Sequence, residues 1–270
     1  MKLYVAGQMS SRSSGSSVAH ASKFGFSRCL VPYGDVTRVG HIFQLCRWFE
    51  GVFLDSGAYS VWSTGKRIDL DRYIAFCKSV GSVVEVYANL DVIGDWRETA
   101  ANQARMEAAG LAPLPTFHHG SPLHELERLV ETYGYLGLGG IARLSRPKRI
   151  EWLDTVWPII RASTRWPLRV HGWGVTDSIV MERYPWYSVD STTWTVGSWY
   201  GSSLVRRGRL PVQKREQLPP ALKLERNSVS RLMRLRHTAR ALIDFQRYVT
   251  NLWKSRGIDW EEIDGNSATS

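Results

Sequence analysis

The stretch Leu114–Gly140 reads LPTFHHGSPLHELERLVETYGYLGLGG and contains one complete strand–helix–strand unit. Its first apolar run, Leu114–His118, predicts a strand, and Leu123–Tyr133 has the 3.6-residue spacing of apolar side chains that is typical of an amphipathic helix. Pro122 stands at the first turn of that helix, where proline is well tolerated. Tyr135–Gly139 then predicts a second strand. This alternation indicates two parallel strands joined by a crossover helix.

The same pattern recurs along most of the 270 residues. The predicted strands are Leu3–Ala6, Cys29–Pro32, Val52–Asp55, Val83–Asp91, Leu114–His118, Tyr135–Gly139, Leu168–His171 and Tyr187–Asp190. Helical spacing is found in Ile68–Val80, Trp96–Ala109, Leu123–Tyr133 and Arg149–Ala162. Eight such units in a chain of this length favour a closed barrel over an open sheet. The sequence therefore predicts an α/β fold: a single (β/α)8 TIM-type barrel over residues 1–204 with a basic, mainly helical C-terminal extension over residues 205–270.

The composition excludes several classes of protein. Hydrophobic residues make up 43% of the chain, which is enough for a sizeable core. The three cysteines, Cys29, Cys46 and Cys77, are an odd number without CxxC spacing, which argues against a disulfide framework or a cysteine zinc site. We find no signal-peptide pattern at the N-terminus and no apolar run near the roughly 18 residues of a membrane span. We therefore expect a cytoplasmic protein, or one of the host cytoplasm if it is viral, without a membrane partner.

The positive charge of the chain is concentrated near its C-terminus. The formal net charge is +10, and Val205–Arg256 holds 14 Lys/Arg against 3 Asp/Glu, whereas the remainder holds 21 against 22. This segment predicts contact with the phosphate backbone of a nucleic acid, the alternative being a solvated basic helix. The predicted nucleic-acid-binding residues are Arg206, Arg207, Arg209, Lys214, Arg215, Arg231 and Arg234.

The local structure of the C-terminal extension is also predicted from its pattern. Three prolines indicate a linker over Arg209–Pro220, and Ala221–Lys254 predicts one long basic helix or two shorter ones. We expect the tail after Gly257 to be frayed. The apolar residues expected to pack on the barrel are Leu232, Leu235, Leu242, Phe245 and Val249.

Three predicted strands end in an aspartate: Asp55, Asp91 and Asp190. A carboxylate directly after a buried strand loses hydration, which costs free energy unless the group is paired or takes part in binding or catalysis. In a barrel all three would meet at one mouth, where active sites lie. Converging carboxylates are what glycosidic chemistry requires, since one attacks the anomeric carbon and another moves a proton to and from the leaving group. The alternative for any one of them is a helix cap.

Other residues at the predicted mouth have less specific patterns. Glycines occur in Ser56-Gly57-Ala58, Gly139-Gly140 and Gly172-Trp173-Gly174, where they allow a backbone to approach a flat ligand. The histidines at strand ends, His118, His119 and His171, lack HxH or HExxH spacing, which favours hydrogen bonding or packing over metal binding. The aromatic candidates for stacking on a base are Tyr59, Trp173, Trp194 and Trp199. Residues 10–17 (SSRSSGSS) follow the first predicted strand, and the pattern leaves open whether they form a mobile lid or a plain loop.

In order, these motifs resemble those of the tRNA-guanine transglycosylase superfamily over roughly residues 50 to 200. Residues 53–59 (FLDSGAY) are similar to the family's DSGGF segment, which implies that Asp55 is the acid/base group and that Ser56 helps to hold the incoming base. Leu90-Asp91 resembles the strand-end aspartate that binds the ring N–H and amino group of a guanine-like base. Asp190 falls where the family has its nucleophilic aspartate.

The remaining family motifs concern the base-binding pocket. His119-Gly120 falls where the family usually has Gln-Gly, which makes His119 the matching base-binding residue. Residues 138–142 (LGGIA) resemble the family's GGLA turn, so that the backbone of Gly139 and Gly140 is implied to contact the base. Residues 170–176 (VHGWGVT) resemble the MGVGTP segment, and on this basis His171 joins the predicted substrate-binding set.

The departures from the family pattern bear on the substrate. The CxCxxC…H zinc site of the tRNA enzymes cannot be formed here, and residues 191–201 (STTWTVGSWYG) contain no arginine. In these respects the chain resembles the compact branch, including phage-type enzymes, that inserts 7-deazaguanine derivatives into DNA. The basic segment after Val205 would then replace the zinc subdomain.

The resemblance thus implies exchange of guanine in DNA for a free 7-deazaguanine base through a covalent aspartyl-glycosyl intermediate, without a metal or an organic or redox cofactor. Three alternatives stay open. They are the same exchange on tRNA, a barrel N-glycosidase that removes a base without replacing it, and a non-catalytic nucleic-acid-binding subunit.

Overall fold

Eight parallel strands form the centre of the molecule. The computed structural model describes residues 1–7, 18–36, 38–59, 67–192, 194–195, 202–208, 210–215 and 228–267. The strands are β1 (Lys2–Ala6), β2 (Arg28–Pro32), β3 (Gly51–Asp55), β4 (Val86–Tyr87), β5 (Thr116–His118), β6 (Tyr135–Gly139), β7 (Arg169–Gly172) and β8 (Ser188–Ser191). Every predicted strand overlaps one of them, and the predicted (β/α)8 TIM-type barrel is confirmed.

The sheet curls until its two outer strands meet. The strand order is β4-β3-β2-β1-β8-β7-β6-β5, and every neighbouring pair is parallel. Beyond β4 and before β5, Ala88 and Leu114 form an isolated parallel bridge. There the N–H of Leu114 donates to the carbonyl of Tyr87 at 2.9 Å, and the N–H of Asn89 donates to the carbonyl of Leu114 at 3.0 Å. These bonds close the ring at a short seam.

Helices cover the outside of the strands. They are α1 (Val18–Ala21), α2 (Val39–Cys46), α3 (Leu70–Val80), α4 (Trp96–Ala108), α5 (Leu123–Thr132), α6 (Arg146–Ala162) and α7 (Ser178–Arg183). The four helices expected from periodicity correspond to α3, α4, α5 and α6. Aspartates cap three of the seven: Asp69 accepts N–H groups of α3, Asp95 accepts one of α4 and Asp177 one of α7.

Two apolar layers fill the fold. The larger layer lies between the strands and the helices. The smaller one fills the barrel and is formed by Tyr4, Ala6, Leu30, Phe53, Ala88 and Leu114, with Trp173 packed against it. Tyr4 and Phe53 meet edge to face with ring centroids 5.3 Å apart. The interior is therefore packed with side chains, as is usual for an eight-stranded barrel.

The C-terminal extension begins with a hairpin and continues into a long helix. Strands β9 (Ser202–Arg207) and β10 (Leu210–Arg215) pair antiparallel, and α8 spans Ser228–Ser255. The expected linker over Arg209–Pro220 is therefore wrong for residues 210–215, because they pair with β9. The prediction of a long basic helix over Ala221–Lys254 is confirmed for residues 228–254, and residues 221–227 lie outside the described residues. Among the helices that the structure describes, none has the length and apolar character needed to cross a membrane.

One face of α8 packs on the barrel. Of the residues expected on that face, Leu235, Leu242, Phe245 and Val249 are buried. Leu232 is 40% exposed, which contradicts its prediction, because it lies on the outer side of the first turns of the helix. The hydroxyl of Tyr248 donates to Glu182 at the end of α7 at 3.0 Å and ties the helix to the barrel.

The chain ends in a helix that covers the N-terminal ends of the strands. This helix, α9 (Trp260–Ser267), follows Gly257, and Trp260 is buried. Asp264 accepts hydrogen bonds from Arg169 at 2.9 Å and from Tyr187 at 2.8 Å, and it lies 3.3 Å from the ammonium group of Lys2. The expectation of a frayed tail is therefore wrong for residues 258–267, because this segment carries an apolar anchor and a carboxylate that pairs with cations at the strand starts.

Candidate active site

A cavity of about 660 Å³ opens at the C-terminal ends of the barrel strands. Its walls include Asp55 at the end of β3, Asp91 beyond β4 and Asp190 in β8, so the three aspartates that were predicted to converge share one cavity. Further residues that line it are Asp35, Tyr59, His118, Gly139, Gly140, Arg143, Trp173, Gly174 and Thr176. The cavity therefore combines several carboxylates with a flat aromatic wall.

Asp55 is influenced by the negative charges of both other carboxylates. Burial, reinforced by the negative charges of Asp91 and Asp190, raises the pKa of Asp55 to about 8, although hydrogen bonds from the N–H groups of Gly57 and Ser56 act in the opposite direction. Asp55 thus holds a proton near neutral pH. A carboxylic acid that is protonated at neutral pH is suited to deliver that proton to a leaving group.

Asp91 is held by two buried side chains. Its Oδ1 accepts a hydrogen bond from the Ser56 hydroxyl at 2.8 Å, and its Oδ2 lies 2.9 Å from Nε2 of His118. Ser56 is fully buried, and its Oγ also accepts the N–H of Ala58 at 3.2 Å. Ser56 was predicted to hold the incoming base, but in the structure it orients Asp91 and does not line the cavity.

Asp190 presents one side of its carboxylate to the cavity. Oδ1 accepts the N–H of Gly174 at 2.6 Å and lies 3.5 Å from Nε2 of His171. Among the described residues, Oδ2 has no hydrogen-bond partner. Asp190 is only 8% exposed, so its charge is held in a fixed position in a largely dehydrated wall.

His171 lies behind Asp190 and not in the cavity. The side chain is fully buried and packs against Tyr4, Phe53 and Trp173. Its assignment to the substrate-binding set is therefore corrected: it touches the predicted nucleophile and not the space where a substrate would lie. Burial lowers the pKa of His171, against the effect of Asp190, which favours the neutral imidazole.

The two adjacent histidines after Phe117 point to different places. His118 is 4% exposed and lines the cavity, whereas His119 is exposed and its ring packs edge to face on Trp152 at 5.6 Å. Successive side chains of a strand point to opposite faces, so only one of the pair can face the barrel. The structure therefore places His118, and not the predicted His119, beside Asp91.

Gly139 and Gly140 line the cavity at the end of β6. A Cβ on Gly139 would lie 2.9 Å from Cδ2 of His118 and 3.3 Å from Cδ1 of Trp173. No side chain fits there without moving one of these rings, which makes glycine necessary at this position. The predicted close approach of backbone to a ligand is compatible with this geometry.

Of the aromatic candidates, two reach the cavity. Trp173 forms its inner wall, and Tyr59 lies at the rim, 52% exposed. Trp194 is buried, donates from Nε1 to the carbonyl of Ala6 at 3.1 Å and packs against Phe26, so it supports the fold. Trp199 and residues 10–17, the predicted lid or loop, lie outside the described residues.

Sequence reasoning missed Asp35 and Arg143. Asp35 ends a 3-10 turn, Tyr33–Asp35, three residues after β2, and burial raises its pKa. Arg143 lies beyond the Gly139-Gly140 turn, and its guanidinium donates to the Tyr59 hydroxyl at 3.2 Å across the mouth. The distance of Asp35 from its strand hid it, since only residues directly at strand ends were considered.

The predicted nucleic-acid-binding residues fall into three groups. Arg206, Arg207, Lys214 and Arg215 lie on β9 and β10, where only the backbone is described, and Arg209 lies outside the described residues. Arg231 is half-buried and Arg234 is 7% exposed. The burial of Arg234 contradicts its assignment to a surface contact. The exposed arginines of α8 are Arg236, Arg240 and Arg247.

The fold and the cavity together define an α/β barrel whose strand ends carry three carboxylates around one space. Among the described residues, no group of three His, Cys, Asp or Glu side chains is placed to hold a metal ion.

Comparison with known proteins gives no family for this chain: no family model and no curated protein matches it. Among solved structures, it is similar to the tryptophan synthase alpha subunit of Campylobacter jejuni, with 12% identity and a TM-score of 0.47 over 87% of this chain and 94% of that chain. It is also similar to a structure from Aquifex aeolicus VF5, with 10% identity and a TM-score of 0.46 over 72% and 84% of the two chains. We draw nothing about activity from likenesses of this size.

Proposed function

We propose that this protein is a pentosyltransferase that exchanges guanine in DNA for a 7-deazaguanine base. The observation that carries the proposal is the shared cavity of Asp55, Asp91 and Asp190, in which the three carboxyl groups have different partners. Carboxyl groups in different surroundings can take different catalytic roles, and glycosidic chemistry needs both a nucleophile and a group that carries a proton. The order of the surrounding motifs, which resembles that of the transglycosylases, adds support.

The first step is a displacement at the sugar. A guanosine flipped out of its stack, at a cost of a few kcal/mol, enters the cavity with C1′ near Asp190. Oδ2 of Asp190 attacks C1′ while the bond from C1′ to N9 breaks. The leaving guanine takes the proton of Asp55 and departs as the neutral base. The products are a covalent glycosyl ester on Asp190 and an ionised Asp55.

The second step reverses the first with a different base. A 7-deazaguanine enters the vacated space and gives its N9 proton to Asp55. Its N9 attacks C1′, the ester bond to Asp190 breaks, and both carboxyl groups return to their starting states. Asp91 lines the same cavity, and a guanine-like edge would offer its N–H groups to that carboxylate, as the resemblance to the family implies.

DNA is proposed over tRNA because the chain lacks the zinc motif of the tRNA enzymes and has a basic C-terminal segment instead. The exposed face of α8 carries Arg236, Arg240 and Arg247. A row of exposed cations of this kind is suited to contact the phosphate backbone of a nucleic acid. Phosphate contacts of this kind position a duplex without reading its sequence.

The test is the variant Asp190→Asn. It should still bind a guanine-containing oligonucleotide but exchange labelled guanine at least about 1000-fold more slowly than the wild type, because an amide is a poor nucleophile. Asp177→Asn, which alters an aspartate at a helix cap outside the cavity, is the matched control. Near-normal exchange by Asp190→Asn would refute the nucleophile.

The same assay separates the alternatives. Parallel reactions with DNA and tRNA show which nucleic acid exchanges its base. Release of guanine without incorporation of a supplied deazaguanine would indicate an N-glycosidase, and binding without release would indicate a non-catalytic subunit. Mass spectrometry of nucleosides from the product identifies the inserted base.

A further inference from the structure

Behind Asp190, a chain of polar side chains runs into the barrel. Nδ1 of His171 lies 2.7 Å from Oγ of Ser188, and the hydroxyl of Tyr135 lies 2.6 Å from the same oxygen. Nε2 of His171 faces Oδ1 of Asp190 at 3.5 Å. His171 and Ser188 are fully buried, and Nε2 of His171 has no hydrogen-bond partner among the described residues, so that Oδ1 of Asp190 is the polar atom it faces.

Two arrangements of protons satisfy the short contacts. In the first, Tyr135 donates to Ser188, Ser188 donates to Nδ1, and Nε2 carries the ring proton towards Asp190. In the second, Nδ1 donates to Ser188, whose oxygen either accepts the Tyr135 proton as well or donates to Tyr135, and Nε2 turns a lone pair towards the carboxylate. Either form of the second arrangement places two electron-rich atoms opposite each other in a buried site. Such an arrangement is costly in a low dielectric.

The surroundings of His171 also favour a neutral ring. The groups packed on it are Tyr4 from β1, Phe53 from β3 and Trp173 after β7, and Asp190 is the one charged side chain among the described residues that face it. A neutral imidazole that donates through Nε2 can orient a carboxylate without neutralising it. A carboxylate that must act as a nucleophile benefits from such a neighbour, because it is held in place and keeps its negative charge.

We propose that Tyr135 and Ser188 are positioning residues that fix His171 as its Nε2–H tautomer, so that the imidazole orients Asp190 and leaves Oδ2 for attack. The role of Asp190 in this statement rests on the proposed function. The tautomer itself does not, because it follows from the contacts alone.

The first test is a measurement of the tautomer in the full chain. Long-range ¹⁵N–¹H correlation spectra of protein labelled with ¹⁵N-histidine distinguish the two tautomers, and His171→Gln identifies the signals of His171. We expect a neutral Nε2–H ring from pH 6 to 8, and a mixture of tautomers in Ser188→Ala. A wild-type ring protonated at Nδ1, or charged across this range, would overturn the proposal.

The second test is the effect on the covalent step. Tyr135→Phe and Ser188→Ala should slow the formation of the denaturant-stable DNA adduct by about 10-fold or more, with KM for the oligonucleotide unchanged, as is typical for groups that orient a reacting residue. Tyr73→Phe is the matched control, because it also removes a buried hydroxyl that donates, at 2.8 Å, to the carbonyl of Ala88. Equal effects of all three variants would refute the positioning role.

The two tests fail in different ways. If the tautomer is as expected but the wild type forms no adduct, the proposed function fails and the arrangement around His171 stands. If the adduct forms but Ser188→Ala leaves both the tautomer and the rate unchanged, the positioning role fails and the proposed function stands.

Discussion

Asp55 and Asp190 both lie at the end of a barrel strand, but they differ in their hydrogen-bond partners and charged neighbours. Asp190 has Oδ1 fixed by the Gly174 N–H and backed by His171. Asp55 faces two other carboxylates in a buried position and takes up a proton near neutral pH. Desolvation and the two neighbouring carboxylates both disfavour ionisation of Asp55, so this carboxyl group keeps its proton.

This proton predicts how stability depends on pH. The pKa of Asp55 is about 8 in the folded protein against an ordinary value of 3.8, so between these two pH values the folded state binds a proton that the unfolded state releases. The free energy of unfolding therefore falls as pH rises through this window. Asp55→Asn should be more stable than the wild type at pH 8 by roughly 1–4 kcal/mol, and this advantage should shrink towards pH 4.

Denaturant unfolding at several pH values measures this difference. Glu127→Gln, at an exposed position of α5, serves as the control, and its difference in stability from the wild type should stay small at every pH. A constant difference between Asp55→Asn and the wild type at all pH values would contradict the prediction.

At the scale of elements, β6 is shaped to receive a tryptophan. Its sequence YLGLG alternates glycine with leucine, so that Gly137 and Gly139 face the barrel while the leucines face the helices. A Cβ on Gly137 would lie 2.3 Å from Nε1 of Trp173. The indole thus rests directly on the strand backbone and forms the inner wall of the cavity.

Gly137→Ala should therefore displace Trp173. We expect a loss of about 2–3 kcal/mol in the free energy of unfolding, because the indole is packed between Phe53 and His171 and has little room to move. Tryptophan fluorescence should also change. Gly134→Ala, where an added Cβ meets nothing within 4 Å, is the control and should stay within about 0.5 kcal/mol.

The elements were largely predictable because each depends on its own sequence. The strand Tyr135–Gly139 has the predicted bounds, whereas Val83–Asp91 shortens to Val86–Tyr87, since the N–H groups of Val83 and Val84 bond back to the carbonyl of Val80. The choice between His118 and His119 depended on which face of β5 turns inward. The pattern of a three-residue strand contains too few positions to decide that.

At the scale of the molecule, contacts between distant residues were not predictable. Asp264 meets Lys2 and Arg169 across 262 and 95 positions of sequence, and no local pattern marks such a pair. For the same reason the tail was expected to fray. The convergence of Asp55, Asp91 and Asp190 could be predicted, because barrel topology places all strand ends at one mouth.

The charge distribution of the whole molecule predicts a salt effect. Arg236, Arg240 and Arg247 lie on the outer face of α8 at intervals of four and seven residues. Replacing all three with alanine should weaken DNA binding. It should also make the negative slope of log K (the association constant) against log salt shallower by about 2.7 if each arginine contacts one phosphate. Filter binding or anisotropy at several salt concentrations measures the slope.

Three exposed cations of the barrel helices, Arg72, Lys78 and Arg161, supply the matched control. Their replacement removes the same charge from another surface, so an equal loss of slope would show that α8 has no special role. An unchanged slope in the α8 variant would show that DNA lies elsewhere.

The ring of strands is joined unequally around its circumference. Between β1 and β8 four residue pairs are in register, but at the bridge of Ala88 and Leu114 two hydrogen bonds hold the ring together, and one of their donors, Asn89, lies two residues before Asp91. The amide protons of Leu114 and Asn89 should exchange with deuterium faster than those of β1. Breathing of the barrel would start at this joint and widen the entrance beside Asp91, which would give a bulky base room to enter and leave.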